Sequence, residues 1–341
     1  MRRDRSAVLG RPTPGLRSGD MPSAGFRRLA GATGLATFAL IIVGGIVRVS
    51  DSGLGCGPGG SGFNGWPFCK GDVVPGLNLN SVIEYSHRTL ASAVAIMMIV
   101  LAVWAVRQGR LVRPTVAAVA LIIAQGLLGA LTVEKNLDEP LVAAHLGLAM
   151  GLLALVLYIW RESRPATAAT AATAPGDSRL RTVSIVASAL VFLTIVAGGY
   201  MAGTQKYGRP DYQLGDGAHH ACGKEFPTCN GGFMPFGQSR LSDIHLTHRL
   251  FMYLAVIAVI VLAVMLLRRG MKRPALLLGG ILVAQVLLGA LNVWLDEYEL
   301  LILAHLTLGT LLWAASINTV FELSGAPERA SAGARGQPVT A

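Results

Sequence analysis

At 341 residues, with 52% hydrophobic and only 14% charged side chains and a mean hydropathy of +0.54, the chain is too apolar for a soluble globular protein. Its 29 Lys and Arg against 19 Asp and Glu leave a formal net charge of +10, which in a polar chain would suggest nucleic acid. Twenty of the 29 basic residues fall before the first apolar run or just after the second, fourth, sixth and eighth, so the charge sets a membrane topology and is no nucleic-acid signature.

In chain order, residues 1–28, rich in Arg, Pro and Gly, read as a cytoplasmic tail. Eight runs of about 20 mostly apolar residues follow, the length that spans a bilayer: about 29–47, 85–106, 114–133, 140–160, 182–203, 246–267, 275–295 and 300–321. The first follows a basic segment, as a signal peptide would, but its apolar stretch exceeds a signal core and no Ala-x-Ala site closes it; it is read as a retained helix. An Ala-Thr-rich stretch near 166–176 marks a cytoplasmic linker (161–181) between an N-terminal half (29–160) and a C-terminal half (182–322), and a second tail occupies 323–341.

The halves match position by position: Gly44-Gly45 with Gly198-Gly199, His87-Arg88 with His248-Arg249, Ala-Gln-x-Leu-Leu-Gly-Ala-Leu at Gln125 and at Gln285, and Ala-His-Leu at His145 and at His305. An even number of spans per half makes this a parallel repeat. The predicted fold class is therefore an all-α membrane protein of eight transmembrane helices, arranged as two tandem pseudo-symmetric four-helix bundles. The positive-inside rule puts both termini in the cytoplasm and the loops after spans one and five outside. All four cysteines lie in those loops, and an oxidising compartment favours structural disulfides, Cys56 with Cys69 and Cys222 with Cys229. A redox-active pair is the sharper alternative, although neither spacing is Cys-x-x-Cys. Zinc would need a well-spaced set of four ligands that neither loop has. His219 and His220, near Cys222, read as plain polar loop residues.

His87, His145, His248 and His305 organise the chain. An ionisable group within a span is costly, so each is a functional candidate against the alternative of a helix–helix hydrogen bond. All four fall at a similar shallow depth near the external side, in two pairs on facing helices. Two facing imidazoles suit a haem iron held on both axial sides; copper or non-haem iron would usually take a third protein ligand. Arg88 and Arg249 stand where they can pair with haem propionates, or snorkel toward an interface. One helical turn before His87 stands Glu84, whereas the matched residue before His248 is His245. That asymmetry predicts a substrate site in the first half and a resident cofactor in the second. The competing reading of Glu84 is structural, since Ser81-x-x-Glu84 has the pattern of a capping box.

These motifs together resemble the haem A synthase family, bacterial and mitochondrial membrane enzymes that oxidise a methyl group of haem O to a formyl group. The resemblance covers about residues 29–322. It rests on the duplicated four-helix halves, Glu84-x-x-His87-Arg88, Ala-His145-Leu, Thr-His248-Arg249, Ala-His305-Leu, and loops such as Trp66-Pro-Phe-Cys69-Lys-Gly and Phe226-Pro-Thr-Cys229-Asn-Gly. It implies haem b as cofactor, held by His248 and His305, with His87 and His145 facing the substrate porphyrin and Glu84 as the catalytic acidic residue. It implies successive hydroxylations of the methyl carbon followed by loss of water, in the service of terminal oxidase assembly. Haem O would be delivered by a haem O synthase; the electron acceptor is not named by the sequence, and the oligomeric state, homo-oligomer included, stays open. One departure is the Gly-rich insertion Gly57 to Gly65 between the first two cysteines. Two other classes remain: a bis-histidine electron-transfer cytochrome, which has no need of Glu84, and a thiol/quinone oxidoreductase, which would need reactive cysteines.

Overall fold

The computed structural model describes residues 22–164, 177–205, 217–295 and 299–324. The tails expected at 1–28 and 323–341 and the linker expected at 161–181 lie largely outside the described residues. Among the described residues, eight α-helices are each long and apolar enough to cross a membrane: α1 (Ala24–Val49), α2 (Leu79–Gln108), α3 (Val112–Glu134), α4 (Glu139–Glu162), α5 (Ser178–Gly203), α6 (Arg240–Arg268), α7 (Lys272–Trp294) and α8 (Glu299–Ser324). Among the described residues there is no strand beyond two isolated β-bridges in the cysteine loops.

Helices α2 and α6 begin at Leu79 and Arg240, each six residues ahead of its apolar run. Their first turns are polar, and side-chain caps carry them. Asn78 accepts from the amides of Asn80 and Ser81, and Ser239 accepts from Ser242. This corrects the capping-box reading. Ser81 lies inside α2 and its hydroxyl donates to the Gly55 carbonyl at 2.6 Å, so Glu84 caps nothing.

Within the first four helices α1 and α3 each pack on α2 and α4; within the last four, α5 and α7 each pack on α6 and α8. The two groups meet through α4 on α5, α1 on α8 and α4 on α8. Lipid gives helices no hydrophobic reason to associate, so close packing and buried hydrogen bonds hold this seam. Gly199 admits Leu146, whose Cδ2 would lie 3.0 Å from an added Cβ, and Gly45 admits Leu306 and Leu303 in the same way. Trp313 of α8 donates its indole N–H to the Met150 carbonyl of α4 at 2.9 Å. Arg48, at the end of α1, donates to the Ala202 and Gln205 carbonyls at the end of α5, and Arg240 pairs with Glu139 at 3.4 Å.

Candidate functional site

His87 and His248 are each the ninth residue of their helices, and His145 and His305 each the seventh. All four line one cavity of about 720 Å³, within the range of cofactor-sized sites, roughly 300–1,000 Å³. Each imidazole rests on a glycine of a neighbouring helix. A Cβ added to Gly44, Gly198 or Gly289 would come 3.1 Å from Cε1 of His87, His248 or His305, and one added to Gly129 would come 3.0 Å from Cε1 of His145. The Gly-Gly and Ala-Gln-x-Leu-Leu-Gly motifs, visible in the sequence only as repeats, are thus the surfaces against which the rings lie. Their neighbours have a second task. Gly45, Gly199, Leu146 and Leu306, each following a seat or a histidine, make the seam between the two helix groups.

The ring nitrogens are held unequally. His248 Nδ1–H donates to the Thr194 carbonyl at 3.0 Å, which leaves Nε2 as the lone-pair nitrogen, the arrangement that orients a metal-binding imidazole. Gln285 places its amide nitrogen 3.2 Å from His305 Nε2, whereas Gln125 donates to the His145 backbone carbonyl at 2.9 Å. The Nδ1 atoms of His87, His145 and His305 and the Oε1 atoms of Gln125 and Gln285 are buried without a hydrogen-bond partner. Such unsatisfied buried polar atoms are uncommon in a folded protein, and here they cluster around the four imidazoles. No group of three or more His, Cys, Asp and Glu among the described residues could hold an ion. Paired imidazoles on glycine seats, among mostly apolar walls, are a donor set and lining whose chemistry fits a haem.

The loop end of the cavity is closed by the cysteine loops. Cys56 is bonded to Cys69 and Cys222 to Cys229, as the sequence predicts. Each second cysteine opens a two-residue turn with both central residues at positive φ, Lys70-Gly71 (55° and 88°) and Asn230-Gly231 (48° and 79°). Asn-Gly suits that mirror-image turn; Lys70 bears more strain. An arginine pins each loop from below: Arg88 donates to the Phe68 carbonyl at 3.0 Å and Arg249 to the Thr228 carbonyl at 2.7 Å. Arg249, only 2% exposed, also donates to the Glu225 carbonyl at 2.8 Å and lies over the Phe226 ring. The Gly57–Gly65 insertion leaves the first disulfide intact and docks on the α3–α4 corner, where the Gly59 amide donates to Asn136 at 2.8 Å.

Glu84 is 3% exposed and lines the cavity. One carboxylate oxygen accepts the Cys56 amide at 2.7 Å, and the other pairs with Arg88. At the matched place His245 Nδ1 faces the Ala218 carbonyl at 2.8 Å. His219 and His220 are corrected from plain loop residues, since both line the cavity. Burial, followed by the nearby His245 and Arg48, pushes the His219 imidazole well below its ordinary range. No spacing in the sequence announces them, because a 3-10 turn at Ala218–Cys222 brings them inward.

Fold and cavity together define a polytopic helical membrane protein with a pair of cavity-lining histidines in each group of four helices. Its sequence matches the COX15-CtaA family, cytochrome oxidase assembly protein, over residues 27–317, and the chain belongs to that family. It is similar to the haem A synthase of Halalkalibacterium halodurans, 29% identical over 246 residues (70% of this chain, 74% of the relative). It is also similar to that of Alkalihalophilus pseudofirmus, 31% identical over 247 residues (70% and 75%).

Proposed function

We propose that this chain is a haem A synthase, taking haem O as substrate and holding haem b as resident cofactor. The observation that carries this reading is Glu84, a buried carboxylate one helical turn from His87, fixed by the Cys56 amide and Arg88 on the cavity wall. In this reading the chain is a tandem of two four-helix bundles. Residues 29–160 take the substrate between His87 and His145, and residues 182–322 hold haem b between His248 and His305. The distribution of basic residues supports cytoplasmic termini and external disulfide loops.

When bound, haem b would supply one-electron redox chemistry. The chain's own side chains do the rest. His87 and His145, resting on Gly44 and Gly129, orient the substrate porphyrin. Arg88 and Arg249 hold the loop carbonyls through their N–H groups, and their positive charge on the cavity wall favours propionates nearby. The apolar wall and the pinned first loop limit bulk water to what the reaction consumes. Glu84 accepts the proton of the water that adds to the methyl carbon, and its charge favours the carbon as it becomes positive. Each hydroxylation takes up the oxygen of one water and releases two electrons and two protons; after the second, the geminal diol loses water to leave the formyl group. The electrons leave to an acceptor outside this chain, and a haem O synthase is the class of enzyme that must supply the substrate.

Glu84→Gln tests this. The amide oxygen still accepts the Cys56 N–H, so the fold is kept while the base and the charge are lost. The expected variant inserts, retains haem b and yields little or no haem A in acid-acetone extracts, with haem O accumulating. Near-normal haem A would overturn the assignment.

A further inference from the structure

The cavity wall is wider on α2 than on α6, its counterpart in the last four helices. On α6 it comprises one stripe, His245, His248, Arg249, Met252, Ala255 and Val256. On α2 it includes Glu84, His87, Arg88, Ala91 and Ala95 of the matching stripe, and one more stripe beside it, Tyr85, Thr89 and Ser92, spaced i, i+4, i+7. The corresponding residues of α6, counting from His87 and His248, are Leu246, Leu250 and Tyr253, and none of them lines the cavity. Leu246 is fully buried and Leu250 is 41% exposed on the outer face. On the neighbouring helix α3, Gly126 lines the cavity, is exposed, and has no atom within 4 Å of an added Cβ; the matched place on α7 is taken by the larger Val286, which lines the cavity and is only half-exposed. Thr89 and Ser92 are likewise both lining and exposed. Their hydroxyls are spent on the Tyr85 and Arg88 carbonyls at 2.9 and 3.0 Å, so they present small walls and no unmet polar group to lipid.

We propose that the α2–α3 slot bounded by Thr89, Ser92 and Gly126 is a lateral portal. Through it a haem bearing a long isoprenoid tail enters from the bilayer and its oxidised product returns. The proposal rests on the haem A synthase reading of the first four helices. A site that exchanges a lipid-soluble porphyrin at every turnover needs a gap facing lipid, whereas a site that keeps its haem needs the gap filled.

The experiment exchanges the three residues for their counterparts, Thr89→Leu, Ser92→Tyr and Gly126→Val together. Purified holoprotein is incubated without an electron acceptor with vesicles containing haem O, and haem O and haem b per protein are read by chromatography. The wild type is expected to take up haem O. The triple variant should keep haem b at wild-type stoichiometry and take up haem O about tenfold more slowly, the factor given by about 1.4 kcal/mol of added barrier. Equal uptake by both overturns the portal while leaving the haem A synthase reading in place; no uptake by the wild type overturns that reading, and the portal with it. Should the triple variant lose haem b or fail to insert, Ser92→Cys decides. All native cysteines are in disulfides, so the new thiol alone reacts with a pyrene maleimide. Labelling it should block haem O uptake, while labelling Leu250→Cys should not. Unchanged uptake after labelling Ser92→Cys overturns the portal.

Discussion

The two groups of four helices place their histidines alike and surround them differently. Glycine seats, ninth and seventh helix positions and arginine-pinned disulfide loops recur in both. Around the His87 pair are a buried carboxylate and a slot lined by small residues. Around the His248 pair are a second imidazole, a backbone bond that fixes the ring and a filled helix face. What recurs is what any porphyrin held between helices needs, rigid imidazoles at a fixed spacing. What differs is what the proposed division of labour requires, a place where a molecule is changed and one where a molecule is kept.

The largest effects on that contrast are expected from the arginines beneath the loops. Arg88→Met leaves Glu84 a buried carboxylate without its cation, and breaking such a pair costs about 3–5 kcal/mol. Arg249→Met leaves the Thr228 and Glu225 carbonyls without their donor, at about 1–3 kcal/mol each. Both variants should melt lower in detergent. The first should in addition stop haem A formation, and the second should instead release haem b more readily. Identical losses of both properties in the two variants would erase the distinction between the helix groups.

Smaller changes are expected at the glycine seats. A methyl 3.0–3.1 Å from an imidazole must displace the ring or the helix, an overpacking worth about 1–3 kcal/mol. Gly198→Ala and Gly289→Ala should shift the optical and paramagnetic signature of the resident haem. Gly44→Ala and Gly129→Ala should leave that signature in place and slow haem A formation. A spectrum altered equally by all four would mean that the seats do not divide by helix group.

Least in size is a pH effect confined to the second loop. His219 is held below its ordinary range, so its neutral form is favoured by folding. The stability it contributes is fully present above its unfolded value of about 6.5 and is lost as pH falls below that toward the folded value, with a slope of at most about 1.4 kcal/mol per pH unit. Gly53 stands at the matched place and has nothing to titrate. Thermal melts from about pH 7 down to pH 5 should therefore fall less steeply for His219→Asn than for the wild type, and parallel curves would remove His219 from the account.

Much of this molecule is legible in its sequence, because apolar length and repeated motifs encode spans and register directly. The eight helices, the all-helical class and the two disulfides follow from hydropathy and compartment alone. The starts of α2 and α6 do not, since a capped polar turn carries no hydropathy signal. Glu84 illustrates the limit more sharply. Ser81-x-x-Glu84 has the spacing of a capping box, but Asn78 takes the cap and the carboxylate is drawn to an amide 28 residues earlier in the chain. Only tertiary contact distinguishes those outcomes. The same holds for Gly129 and Gly289, which look like small residues for helix packing until an imidazole is found against them, and for His219, turned inward by a loop whose path no periodicity predicts.

In the proposed division of labour, one histidine pair keeps a haem and the other works on one. Haem b per protein, measured on purified His87→Ala, His145→Ala, His248→Ala and His305→Ala variants side by side, tests it most directly. The last two variants are expected to lose the six-coordinate low-spin haem b signal, while the first two retain it near wild-type stoichiometry and make no haem A. Haem b retained by His248→Ala and His305→Ala, or lost equally from all four, would contradict it.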